Sequence, residues 1–315
     1  MKWRFQRNAL LLAWLAANAA LGQAETLNQF LGEQIVQVPT QNRSRVAINL
    51  ETTLYRPPGT GPFPVVIINH GKAKGASRLQ DRSRYVWAAR EFLERGYMVV
   101  LPMRQGFANS GGTYIASHCN AETNGRIHAQ DVLATLAYLK TQPDADLSRV
   151  VVIGQSQGGL VTMAFGTLNY PGVRGLINFV GGLRAKSCTS WEGGLISAFA
   201  AYGRETRTPS LWFYGDNDSY WKPWLYREMH QRYVQAGGPA RLVAFGKFED
   251  DAHNLFGARR GVPVWLPEVE KFLGELKLPT RKLHKIPLTA NDDAESVEDA
   301  INPVNPSIAN TALKK

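Results

Sequence analysis

Cysteine is nearly absent from this sequence: Cys119 and Cys188 are the two thiols among 315 residues. Neither has a second Cys or a His at a zinc-ligand spacing, which argues against a zinc finger or ribbon, and no motif implies a metal or an organic cofactor. Long apolar runs are also scarce. The one at the N-terminus, residues 9–21, is interrupted by Asn18 and is too short to span a bilayer comfortably. The formal net charge is +10, yet no Lys/Arg block interleaved with aromatics marks a nucleic-acid stripe. The basic excess instead fits solubility or attraction to anionic surfaces and substrates.

Ahead of that apolar run lie Lys2, Arg4 and Arg7, and behind it Gly22-Gln23-Ala24 offers small residues at both cleavage-site positions. This pattern predicts a secretory signal peptide over residues 1–24, with an uncleaved membrane anchor as the alternative. The mature chain stays basic after the leader's three cations are lost. Export to a periplasmic or extracellular space gives the isolated cysteine pair a reading of its own, a Cys119–Cys188 disulfide, against the alternative of two free thiols.

The most informative stretch is Gly154-Gln155-Ser156-Gln157-Gly158-Gly159, preceded by Val150-Val151-Val152-Ile153 and followed by a helix-like run from Leu160. A buried strand, a serine with glycine two before and two after, and then a helix form the nucleophile elbow of serine hydrolases. The spacing has a steric cause: a sharp strand-to-helix turn forces the serine into an unfavourable backbone conformation, and only small flanking residues avoid a clash. The following helix then aims its first N–H groups at the place where an oxyanion develops. In a Gly-rich chain the bare string also arises by chance, so the flanking strand and helix carry the assignment.

With 44% hydrophobic residues the chain can bury one full core. Strands are predicted at 35–39, 46–55, 63–69, 97–102, 150–153, 173–180, 210–214 and 240–245. Helical spacing appears at 83–95, 127–140, 223–235 and 267–277, and residues 144–149 read as a turn into the elbow strand. The alternation predicts an α/β fold with a mostly parallel sheet covered on both faces, opened by antiparallel strands. Beyond Pro279 the pattern fades. The expected organisation is a leader at 1–24, one catalytic domain at 25–279 and a polar, partly disordered tail at 280–315.

A serine nucleophile needs a neutral imidazole to take its proton. Of six histidines, His253 follows both the elbow and a strand–acid loop. His284 lies in the tail and His230 in a helix, His70 and His128 precede the elbow, and His118 adjoins Cys119. The acid is either Asp216 or Asp218, both in the loop after residues 210–214. Asp250 and Asp251, beside His253, read as solvated loop carboxylates.

These landmarks, together with His70-Gly71 after the third strand and the run Arg104 to Gly112 after the fourth, resemble the α/β-hydrolase superfamily over about residues 65–272. The likeness is strongest to the dienelactone-hydrolase and prolyl-oligopeptidase-like branches. The resemblance implies a small cap or none, at about residues 186–203, and a Ser156-His253-Asp218 triad, with Asp218 chosen as the last residue of a G-x-x-D pattern. It also implies an oxyanion hole of backbone N–H groups from Gln157 and Lys72. Dienelactone hydrolases usually carry a cysteine nucleophile; Ser156 here favours ordinary ester chemistry.

The expected activity is therefore that of an exported carboxylesterase acting through an acyl-enzyme on a small ester or amide, with no nucleic-acid partner and no membrane insertion after leader cleavage. A prolyl-oligopeptidase-like peptidase would share every catalytic residue, but no repeat of roughly 40–50 residues precedes this domain. A non-catalytic binding protein on the same fold is the third possibility, opposed by retention of all three triad residues.

Overall fold

The computed structural model describes residues 26–185 and 187–288. The expected leader, and the chain from residue 289 onward, lie outside the described residues. The strands are β1 (Glu33–Gln41), β2 (Ala47–Tyr55), β3 (Phe63–Asn69), β4 (Met98–Pro102), β5 (Ala145–Gln155), β6 (Val173–Phe179), β7 (Ser210–Tyr214) and β8 (Ala240–Ala244). They form one sheet in the order β1-β2-β4-β3-β5-β6-β7-β8. β1 pairs antiparallel with β2, and β2 antiparallel with β4, while β3 to β8 run parallel.

Continuous β-branched runs form the middle of this sheet because both faces are covered. Side chains alternate across the pleat. Val65, Ile67, Val150 and Val152 enter one core with the helices α2 (Ala121–Leu139), α3 (Gln157–Gly166), α4 (Trp191–Glu205) and α5 (Pro223–Gln235). Val66, Ile68, Val151 and Ile153 enter the other, with α1 (Val86–Glu94) and α6 (Val262–Glu275). On that second face Phe179 stacks on Phe213 and Phe256, at centroid separations of 4.6 and 4.2 Å. The α/β fold expected from the strand–helix alternation is the one observed.

Boundaries differ where large apolar side chains are missing. α2 starts six residues before the expected position. Its N-cap Asn120 accepts from the Thr123 N–H at 2.8 Å, and its first turns bury Asn124 and Gly125, which carry no apolar periodicity. Residues 145–149 belong to β5 rather than to a turn, pairing with the start of β3 across a register shift. α6 begins at Val262 and contains Pro267, read from sequence as its first residue.

The segment expected to hold a small cap is largely α4. Leu195, Ala198, Phe199 and Tyr202 are buried there, and the Tyr202 hydroxyl donates to the carbonyl of Glu122 at 2.8 Å. A short loop between β6 and α4 is all that remains over the sheet's C-terminal edge at this point. The chain past residue 279 runs along α1 as far as it is described: Leu283 and His284 donate to the Glu94 carbonyl, and Arg90 donates to the carbonyls of Ile286 and Pro287. No described helix is long and apolar enough to cross a membrane.

Cys119, just before α2, is bonded to Cys188 in the β6–α4 loop, with Cα atoms 5.5 Å apart and a sequence separation of 69. In the chain-entropy model a loop of that size restricts the unfolded chain by roughly 4 kcal/mol. Reduction is expected to lower Tm by roughly 5–10 °C. Thermal denaturation with and without reductant checks this, using a Cys119→Ser/Cys188→Ser variant whose Tm should ignore the reductant. An unchanged Tm in verified reduced protein would remove the bridge from the stability of the fold.

Candidate active site

The end of β5 delivers the chain into Ser156 at φ 55°, ψ −122°, in the left-handed half of the map where a non-glycine residue is strained by about 1–3 kcal/mol. Three backbone hydrogen bonds hold it there. Its N–H donates to the Phe179 carbonyl at 3.0 Å, and its carbonyl accepts from Gly182 at 3.0 Å and Leu160 at 3.2 Å. The flanking glycines are required by contact. A Cβ on Gly154 would come within 2.1 Å of the Gly158 carbonyl oxygen, and one on Gly158 within 1.9 Å of that of Asn69. Gln157 opens α3, so its amide is among the N–H groups that have no partner within a helix.

The loop after β7 carries both candidate acids and separates them. Asp218 is buried, and its Oδ1 accepts from the N–H groups of Tyr220 and Trp221 at 2.8 and 3.0 Å. His253 Nδ1 lies 2.9 Å from Asp218 Oδ2, with the two side chains 1% and 0% exposed. Asp216 is exposed and accepts from the Tyr226 hydroxyl at 3.0 Å, on the side of α5. A carboxylate only accepts, so the imidazole proton sits on Nδ1. His253 Nε2 is left as a buried acceptor with no hydrogen-bond partner among the described residues.

Gln155, the residue before Ser156, donates from Nε2 to the His253 carbonyl at 2.8 Å and so draws the histidine loop against the elbow. Asp251 is not the solvated carboxylate expected from its loop position. Its Oδ1 accepts from the N–H groups of Ser219 at 3.0 Å and His253 at 2.9 Å, tying the acid loop to the histidine loop through one oxygen. Asp250 is exposed, as expected. Tyr220 lies over the His253 ring at 4.5 Å and closes its outer side.

Arg104, like Asp251, braces the candidate site in a way that sequence reasoning missed, although the motif containing it stood out. It is buried and donates to the His70 carbonyl at 2.5 Å and to Gln157 Oε1 at 3.2 Å, while its own N–H donates to His70 Nε2 at 3.1 Å. The loop after β3 is thereby braced to the elbow helix. Burial and the Arg104 charge push the His70 imidazole well below its ordinary range, and His128 is pushed down to about 3 by the same two causes. Both are neutral structural histidines. Gln157 completes the network, donating to the Tyr114 hydroxyl at 2.9 Å and to Asn124 Oδ1 at 2.8 Å.

Lys72 faces the same cleft as Ser156 and Gln157. Its ammonium is folded back on its own loop, donating to the carbonyls of Ala73 at 3.0 Å and Gly75 at 2.8 Å, and sits 5.6 Å from the Tyr114 ring centre. Partial burial lowers its pKa. The side chain therefore braces its own loop. The cleft has a volume of about 660 Å³, and Leu183, Arg184, Tyr220 and Trp221 form its wall opposite that loop.

A strained serine at a strand–helix elbow, with a buried histidine–aspartate pair on neighbouring loops of an eight-stranded, mostly parallel sheet, defines a hydrolase of the serine α/β-hydrolase type. Within that class, the family model for X-Pro dipeptidyl-peptidase (S15 family) matches residues 47–240, and the chain belongs to this family. A search of curated protein sequences finds no match.

Similar solved structures share the fold at low identity. A candidate dienelactone hydrolase from Klebsiella pneumoniae subsp. pneumoniae is 17% identical at a TM-score of 0.53, covering 78% of this chain and 98% of that one. Est1E from Butyrivibrio proteoclasticus, solved with ferulic acid bound, is 17% identical at a TM-score of 0.53, covering 73% and 96%. Dipeptidyl peptidase 4 from Porphyromonas gingivalis is 14% identical at a TM-score of 0.57. There the match covers 77% of this chain and 35% of the larger protein.

Proposed function

We propose that the protein is an exported carboxylic ester hydrolase in which Ser156 is the nucleophile, His253 the general base and then acid, and Asp218 the carboxylate that holds the imidazole. Ser156 Oγ attacks the ester carbonyl while its proton passes to His253 Nε2. The tetrahedral oxyanion is received by the backbone N–H groups of Gln157 and Lys72. Collapse expels the alcohol, which takes the proton from His253, and water then releases the acid from Ser156 by the same steps. The disulfide supports export, because such bonds persist in oxidising compartments.

One observation carries the ester reading over a dipeptidyl-peptidase reading, which the family match favours. An enzyme that counts two residues from a free amino terminus must hold an α-ammonium, and a desolvated ammonium needs a carboxylate partner. The described lining of this cleft contains Lys72, Lys74 and Arg184 and no Asp or Glu. Asp218 already accepts from two N–H groups and from His253.

Chromogenic esters of varied acyl length, run beside Ala-Pro and Gly-Pro anilides on wild type and Ser156→Ala, test this. Ser156-dependent turnover of esters with little or no anilide release is expected. Release from the Xaa-Pro anilides without ester turnover would transfer the protein to the peptidase reading.

A further inference from the structure

The wall of the cleft made by the β6–α4 loop carries Arg184, an exposed cation that makes no ion pair among the described residues. Its guanidinium is nonetheless placed. It lies over the Trp191 ring at 5.4 Å, and Trp191 packs against Trp221 at 5.9 Å, which in turn lies 6.2 Å from the His253 ring. Four residues further on, the Cys188–Cys119 bond fixes the same loop to the start of α2. The aromatic row and the disulfide together limit the rotamers and the backbone that an exposed arginine would otherwise explore. A planar fork held in this way is suited to a carboxylate.

The opposite rim carries Lys74, also exposed and without an ion-pair partner among the described residues. The nearby carboxylates are occupied: Asp218 by three hydrogen bonds and Asp251 by two backbone N–H groups. The charged side chains that line the cleft itself are thus all cations, Lys72, Lys74 and Arg184, and low-dielectric walls concentrate the field of such charges along the approach to Ser156.

We propose that the cleft selects esters bearing a second, free carboxylate, gripped by Arg184 on the Trp191 face while the ester end lies at Ser156. This rests on the proposed function for the position of the scissile bond. It adds a specificity residue, Arg184, and a substrate class, monoesters of dicarboxylic acids.

Binding and turnover separate the two ideas. In a Ser156→Ala background, which leaves the ester intact, calorimetry compares the monomethyl and dimethyl esters of succinate, glutarate and adipate. For at least one chain length the monomethyl ester should bind roughly tenfold tighter than the dimethyl ester. Arg184→Gln should abolish that preference and Arg184→Lys should restore part of it. Lys271→Gln, which removes one exposed cation from α6 on the other face of the sheet, should leave it in place. Equal affinities at every length, or a preference that survives Arg184→Gln, would overturn the proposal whether or not any ester is hydrolysed. Absence of ester turnover by wild type, with the binding preference intact, would count against the esterase reading alone.

Discussion

Ser156→Ala is expected to lower kcat on any accepted ester by roughly 10⁴–10⁶-fold, and His253→Ala by a comparable factor, with the double variant little worse than either. The non-additivity follows from the geometry. The serine hydroxyl is a weak nucleophile unless a neutral imidazole takes its proton as it attacks, and in the proposed triad the nitrogen for that is His253 Nε2, which has no hydrogen-bond partner among the described residues. Once one member is gone, the other has nothing to act on. Residual rate would come from the N–H groups around the elbow, which neither substitution removes. Steady-state kinetics with active-site titration reads the effect, and a thermal melt shows that the buried His253→Ala site still folds. Near-wild-type kcat in Ser156→Ala would end the serine mechanism.

What the sequence makes legible divides along interaction range. The elbow is a local device: its two glycines are needed because backbone atoms within and beside the turn occupy the space of a Cβ, at Gly154 and at Gly158, and that need is written in a five-residue spacing. The parallel sheet is legible for a similar reason, since strands buried on both faces must be apolar along their whole length. Chain order singles out His253, the histidine that the structure pairs with Asp218.

The choice between Asp216 and Asp218 is not recoverable that way, because two carboxylates in one loop differ only in direction. Resemblance to a family favoured Asp218. In the structure, Asp216 turns toward Tyr226 while Asp218 turns inward to His253.

The braces of the site are the least legible part. Asp251 looks like any exposed loop acid until Ser219, far back in the chain, is brought to its oxygen. Arg104 looks like a strand-end cation until His70 and Gln157 are brought to its guanidinium from opposite directions. Helix α4 is hidden because Gly193, Gly194 and Gly203 dilute its apolar stripe. Its helical state comes from burial of Leu195, Phe199 and Tyr202 against neighbours far away in sequence rather than from local preference. Burial in each case decides the side chain's fate, and burial is a property of the assembled sheet.

Asp218→Asn is expected to cost roughly 10⁴-fold in kcat, whereas Asp216→Asn should stay within about threefold of wild type. The asparagine is nearly the same shape, and its Oδ1 still accepts from Tyr220 and Trp221, so the loop should keep its conformation. What changes is the face toward His253. An amide NH₂ there donates, which forces the imidazole to accept at Nδ1 and to carry its proton on Nε2, the atom that must receive the serine proton. The imidazolium also loses its counter-charge. Asp251 gives the contrasting case: Asp251→Asn retains an acceptor for Ser219 and His253 and should be mild, while Asp251→Ala releases both N–H groups and should lower kcat by roughly 10- to 100-fold. Kinetics on one ester across the four variants, each with a melting curve, ranks the three carboxylates. A larger loss in Asp216→Asn than in Asp218→Asn would move the acid to Asp216, and equal losses in Asp251→Asn and Asp251→Ala would deny Asp251 its bracing role.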